Sequence, residues 1–280
     1  MLEGSLRKLS FTAERPIRYV LHAGGSLPLN PCLGEGLRIT WLGETRCEHC
    51  GTRTPKRYGG GYCYRCFKTL ARCDLCVVSP TRCHYHLGTC REPEWGEAHC
   101  MVPHTVYLAN SSGAKVGLTR GSTAVPRWIE QGATQGLSIA RATTRRAAGE
   151  LEALLAERIP DKTDWRALVT GRAKPLDLAA VADGLPERLR DRASQLSGVE
   201  WLEARETADL QYPIMRYSRR PLRLTLAEDG DRVVEGRLRG VIGQYLLFDH
   251  GAFHVAAHTG CAVRVERVGD DVVERQMDLF

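Results

Sequence analysis

The sequence predicts an α+β protein built from several small modules, and three observations predict it. Nine of the eleven cysteines fall between Cys47 and Cys100, short alternating strands occupy both ends of the chain, and a strand, strand, helix, helix succession begins at Thr105. A chain of 280 residues with 43% hydrophobic content can form two or three packed cores. No apolar run approaches the ~20 residues of a membrane span, and the opening MLEGSLRK lacks the apolar core of a signal peptide. A cytoplasmic protein is therefore expected, one whose reduced thiols bind metal rather than pair.

The first module, 1–45, reads as strands. Leu6 to Thr12 alternates, Pro16 to Ala23 is rich in β-branched and aromatic residues, and Gly36 to Gly43 alternates again. The intervening GGSLPLNPCLGEG reads as loop, with Cys32 as a small core residue.

The second module, 46–103, is the cysteine-rich region. Cys47 and Cys50, then Cys63 and Cys66, form two Cys-x-x-Cys pairs. Each pair converges two thiolates on one ion from a tight turn, and two such turns complete the tetrahedral shell of a closed zinc site. A second site is expected to start from Cys73 and Cys76, with Cys83 and Cys90 the preferred completion. Sets containing Cys100 or one of His84, His86 and His99 stay open, and four thiolates also suit an iron–sulfur cluster. Nine Lys or Arg against Glu48 and Asp74 between Arg46 and Arg91 give a local excess of +7. Two tetrathiolate zinc sites would absorb part of that excess; a phosphate-binding surface would use the rest.

The third module, 104–160, reads as a strand at Thr105 to Ala109, a turn, and a strand at Lys115 to Thr119. A short helix follows with Pro126 in its first turn, and then a longer one from about Thr144 to Ile159, whose Leu151, Leu154, Leu155 and Ile159 share one face. Arg120, Arg141, Arg145 and Arg146 are the candidate phosphate contacts, since up to Arg146 only Glu130 opposes them.

Taken together, GYCYRCF, REPEWGE, VYLANSSGAKVG and RWIEQGA resemble a prokaryotic family recorded as a domain of unknown function. Within that stretch, Thr105 to Glu152 is similar to the GIY-YIG nucleases. The resemblance implies that Tyr107 stands for the tyrosine of the first motif, Gly117 for the glycine of the second, Arg127 for the helix arginine and Glu152 for the ligand of a divalent ion, Mg²⁺ or Mn²⁺. Lys115 stands where that family has its second tyrosine, Thr105 replaces the first glycine, and seven residues separate the motifs, fewer than usual. As a neighbouring ammonium, Lys115 is expected to favour the Tyr107 phenolate.

The segment 161–215 reads as three helices, one ending at Gly171 and one beginning near Pro186, with no chemistry of their own. From 216 to 268 four or five short strands suggest a small barrel that the N-terminal strands could complete, with Arg237, Arg239 and Tyr245 as candidates for single-stranded nucleic acid. The tail, 269–280, ends in QMDLF. Its Gln276, Leu279 and Phe280 reproduce the peptide pattern by which bacterial replication and repair proteins bind the sliding clamp.

Two function classes follow. One is a metal-dependent DNA nuclease placed by its zinc sites and recruited by the clamp; the other is a non-catalytic protein that uses the same fold to bind DNA or RNA.

Overall fold

The computed structural model describes residues 1–226 and 232–269. The chain divides into two compact units. The first comprises Met1–Phe67, Val169–Arg172 and the described residues from Gln211 onward, and the second Lys68–Leu168 and Ala173–Leu210. The stretch 46–103, read as one cysteine-rich module, is thus shared: its first four cysteines belong to one unit and the other five to the second.

The first unit is built on a seven-stranded sheet in the order Leu2–Ser5, Cys261–Val268, Gly36–Thr45, Val233–Ile242, Tyr245–Phe248, Gly251–His254, Arg223–Leu224. Every pairing is antiparallel except the last. Strands from the two ends of the chain therefore alternate within one sheet. Leu37 and Ile39, two residues apart, point to one face and are buried along with Val234, Val263 and Val265. A second sheet joins Ser10–Thr12, Arg18–His22 and Ser26–Pro28. The segment read as loop thus contains an edge strand, and Pro28 is tolerated there because an edge leaves one side of the backbone without a ladder to donate to. Cys32 is buried and donates to the Pro28 carbonyl at 3.3 Å, as a small core residue does.

The second unit carries an antiparallel sheet in the order Thr207–Asp209, Gln135–Ala142, His104–Asn110, Ala114–Arg120, with Val199–Trp201 also paired to Gln135–Ala142. The strand Gln135–Ala142 carries no alternation that predicts it. It is buried on both faces, so its small and polar residues Ser138 and Ala140 mask the alternation that marks a half-buried strand. On one face lies the helix Arg145–Leu155, whose Thr144 accepts a hydrogen bond from the Ala147 N–H as N-cap. Its Leu151, Leu154 and Leu155 pack with Val106, Leu108, Val116 and Leu118. The helices Leu178–Asp183 and Glu187–Ser194 add Leu178, Ala182, Leu189 and Ala193 to the same core. The other face holds a smaller core of Tyr107, Ala109, Ala124, Trp128 and Ala133, closed by the short helix Val125–Glu130.

Among the described residues, no helix is long and apolar enough to cross a membrane.

Candidate functional site

The sulfurs of Cys47, Cys50, Cys63 and Cys66 all lie within 4.8 Å of one another, and Cys50 and Cys63 are 3.8 Å apart. Four thiolates around one zinc at a Zn–S distance of ~2.3 Å have an edge of about 3.8 Å, so the cage matches a single ion. Local backbone makes it: the Gly51 N–H donates to the Cys47 carbonyl, Cys47 N–H to Thr52, and Glu48 N–H to Gly61. Cys63 immediately precedes the helix Tyr64–Thr69 and Cys66 lies in its first turn. These four residues can hold zinc as the sequence spacing implied. Part of the nearby positive charge is spent within the fold, since Arg46 pairs with Glu44 at 2.5 Å and Arg57 donates to the Ala257 carbonyl at 2.6 Å.

The five residues singled out around Tyr107 come from four elements. Tyr107 lies on the central strand His104–Asn110 directly opposite Gly117 on Ala114–Arg120, and a Cβ at Gly117 would stand 2.6 Å from the Tyr107 hydroxyl. Glycine is therefore required for the phenol to lie across the neighbouring strand. A register shift between Val106 and Tyr107 breaks the pairing with Gln135–Ala142, the kind of irregularity that re-aims a side chain. Trp128 meets the tyrosine edge to face at 5.9 Å between ring centres.

Tyr107 donates to Gln131 Oε1 at 3.0 Å; turning that amide would bring its oxygen within 3.0 Å of Arg127 Nε, so one side chain can link phenol and guanidinium. Arg127 also pairs with Glu130 at 2.6 Å. Lys115, 6% exposed, has its ammonium 3.3 Å from Thr163 Oγ1. Burial pushes its pKa down to about 8, with Arg127 adding repulsion and Glu152 and Asp161 opposing it. Glu152, on the helix Arg145–Leu155, is held above the usual carboxylate range by burial first and by the charge of Asp161 second, while Arg145, Lys115 and Arg127 pull it back.

The expected activation of Tyr107 by Lys115 is corrected on its cause and its sign. Burial outweighs the neighbouring charges and pushes the phenol up to about 12, and the cation that opposes burial is Arg127. The reason is that the ring is fully enclosed, 0% exposed, where an anion loses its hydration.

Sequence reasoning missed Gln131 and Asp161. Asp161 is delivered by a tertiary contact, the Val116 N–H donating to the Pro160 carbonyl at 2.8 Å, for which no sequence signal exists. Gln131 follows the short helix within the RWIEQGA stretch, where nothing in the sequence marks it out for a role of its own.

The candidate phosphate contacts differ in access. Arg120 is exposed. Arg141 is half-buried and donates to the Ser122 carbonyl at 3.3 Å, and Arg146 is held by Glu150 at 2.9 Å beside His86. Arg145 is turned inward, donating to the Val77 carbonyl at 2.5 Å, and interacts electrostatically with both Cys100 and Glu152. In the first unit, Tyr245 is buried and stacked on His254 at 4.3 Å, Arg239 pairs with Asp249 at 2.8 Å and Arg237 donates to the Gly34 carbonyl at 3.0 Å. Those three side chains serve packing and pairing.

Of the second cysteine group, Cys76, Cys83, Cys90 and Cys100 line one cavity of about 20 Å³. Cys73 is half-buried after the turn Ala71–Cys73 and is not on that cavity's wall. Gln276, Leu279 and Phe280 lie outside the described residues.

Fold and cysteines together define a mixed α+β protein with a four-cysteine site able to hold zinc. The chain belongs to the family described as "Protein of unknown function (DUF2797)", whose model matches residues 34–263. No curated protein and no solved structure matches it.

Proposed function

We propose that the second unit is a GIY-YIG-like phosphodiesterase module that acts on DNA, with the zinc site of Cys47, Cys50, Cys63 and Cys66 as structural support. The observation that carries this reading is the convergence of Tyr107, Lys115, Arg127 and Glu152, drawn from two strands and two helices, into one electrostatically coupled group. The order of the hairpin, helix, strand and helix that bear them supports it, with His104–Asn110 central and Ala114–Arg120 and Gln135–Ala142 flanking.

In this reading Glu152, with Asp161 nearby, is the carboxylate that holds Mg²⁺ or Mn²⁺, and two like charges kept close are best relieved by a cation. The bound ion would supply Lewis acidity to the water and the leaving oxygen. Arg127, half exposed and aligned by Gln131 and Glu130, would meet the phosphoryl oxygens, and the Tyr107 hydroxyl would fix Gln131. Exposed Arg120, with Arg141 and Arg146, would bind backbone phosphates, which does not distinguish DNA from RNA.

The enclosure of Tyr107 favours a second reading, in which the module binds nucleic acid without cutting it. Cleavage of a panel of branched and single-stranded DNA and RNA with Mg²⁺ or Mn²⁺ decides between them. The nuclease reading expects cutting that Glu152→Gln abolishes while binding persists, and Arg127→Ala to cost roughly 2–4 kcal/mol of transition-state stabilisation. No cleavage by the wild-type chain, or unchanged cleavage by Glu152→Gln, leaves the binding reading.

Recruitment by the sliding clamp rests on Gln276, Leu279 and Phe280 in the sequence. Calorimetry of the full chain and of one truncated after Arg275 against purified clamp should show binding, at about micromolar strength, only for the full chain.

A further inference from the structure

The two cysteine groups differ in the space they enclose. In the first, the sulfurs touch, leaving room for one ion. In the second, the ligand atoms that come within 4.8 Å of one another are those of Asp74, Cys76 and His84, and the thiols of Cys76, Cys83, Cys90 and Cys100 instead surround a cavity.

Each of these cysteines is delivered by the end of a short element. Cys76 lies in the helix Leu75–Val78, Cys83 follows the turn Pro80–Arg82, Cys90 precedes the helix Pro93–His99, and Cys100 ends it with its N–H on the Gly96 carbonyl at 2.7 Å. The four stand on the wall of the same cavity. Gly96 forms part of the wall, where a Cβ would stand 3.2 Å from the Cys90 sulfur and 3.1 Å from the Tyr85 ring, so any side chain there would intrude on the cage. Tyr85 and Trp95 line it as well, giving aromatic walls that limit water at a metal–sulfur core, beside the polar Asp74, His84 and Arg91.

A second, independent observation points to an anionic occupant. The helix Arg145–Leu155 docks on this region through the Arg145 N–H to the Cys100 carbonyl at 2.8 Å and the Arg145 guanidinium to the Val77 carbonyl. The Arg145 Nε is nevertheless buried and has no hydrogen-bond partner in the protein. A buried guanidinium N–H left unmet is costly, and a cluster carrying four thiolates is the charge that would meet it.

We infer that Cys76, Cys83, Cys90 and Cys100 ligate an iron–sulfur cluster, with the half-buried Arg145 as a nearby counter-charge. Iron and inorganic sulfide stand between the cysteines of such a cluster, so the thiolates must surround a volume rather than meet at one ion. Asp74 and His84 stand on the wall of the same cavity, where they pair with each other at 3.7 Å and with neighbouring groups. Asp74 accepts from the Cys76 N–H at 3.2 Å and pairs with Arg91 at 2.7 Å, and His84 Nδ1 lies 2.7 Å from Thr89 Oγ1.

The test is the full chain purified without oxygen, or refolded with ferrous iron and sulfide, and assayed for iron, acid-labile sulfide and zinc. About four iron and four sulfide per chain are expected for the four-thiolate cluster, with visible absorption that bleaches on reduction. One zinc should remain at the other group. Cys100→Ser should lose most of the iron and Cys73→Ser should keep it. Zinc retained by Cys100→Ser, together with unchanged far-ultraviolet dichroism, would show that the variant has folded. Two zinc and no iron would overturn the inference, as would loss of iron from Cys73→Ser with Cys100→Ser unaffected. The outcome is independent of whether the chain cuts DNA.

Discussion

The zinc cage at Cys47 to Cys66 and the charge cluster around Tyr107 are assembled in opposite ways. The cage draws its four ligands from twenty consecutive positions, and turns closed by Gly51 and by the start of the helix Tyr64–Thr69 bring them together. The cluster draws on residues from Tyr107 to Asp161, placed by sheet register, by a helix packed across that sheet and by one backbone bond to Pro160. A local site depends on one ion and fails as a unit, whereas a distributed site rests on many small contacts and yields by degrees.

The sharpest way to break that contrast is to remove the ion. Chelation, or Cys47→Ser, should unfold the loop 46–67, because structural zinc contributes about 10–16 kcal/mol of apparent binding energy to small zinc domains. Hydrogen exchange should show loss of protection there, while the strand His104–Asn110 in the other unit keeps its own. Loss of protection in both units alike would mean that the cage is not a local device.

The next largest effect concerns Lys115. Its pKa is about 8 in the folded chain against 10.5 when exposed, so its charge opposes folding below pH 8, and that cost is relieved as the pH rises toward 10.5. At pH 7 it amounts to roughly 3 kcal/mol. Lys115→Met should therefore be more stable than the wild type in urea at pH 7, and the difference should shrink by pH 10. Above that, Tyr107 acts the other way: its raised pKa lets the unfolded chain ionise first, and stability falls toward pH 12 in both proteins. A difference that does not change with pH would show that Lys115 is neutralised by Glu152 and Asp161 rather than strained. A buried cation kept at such a cost is the pattern of a residue retained for function.

Gly117→Ala tests the close approach. The added methyl meets the Tyr107 hydroxyl at 2.6 Å, and overpacking of this kind should cost about 1–3 kcal/mol in thermal or urea unfolding. Tyr107→Phe combined with Gly117→Ala should recover little of the loss, because the ring carbons Cζ and Cε2, which phenylalanine keeps, stand 2.7 and 2.9 Å from the added methyl. Full recovery would place the clash on the phenol oxygen alone.

The smallest effect is expected at Thr144, whose side chain caps the helix that carries Glu152. Thr144→Ala should cost about 1 kcal/mol, and Thr144→Asp should restore it.

Much of this protein could be read from its residues because the signals were local. Cys-x-x-Cys spelled twice specifies convergence whatever lies around it, since each pair needs only one turn. The hairpin of His104–Asn110 and Ala114–Arg120, the Pro126 helix start and the leucine face of Arg145–Leu155 likewise follow from periodicity and turn chemistry. Tertiary structure alone decided the rest. Gln135–Ala142 is covered on both faces, so it lacks a polar side to announce it, and Asp161 joins Glu152 and Lys115 only through a pairing of strand edge with loop. Which thiols of the second group face a common cavity depends on how Pro93–His99 and Arg145–Leu155 pack, and spacing is blind to that. The ionisation of Tyr107 was set by its enclosure, because desolvation is a property of everything around a residue and of none of its neighbours in sequence.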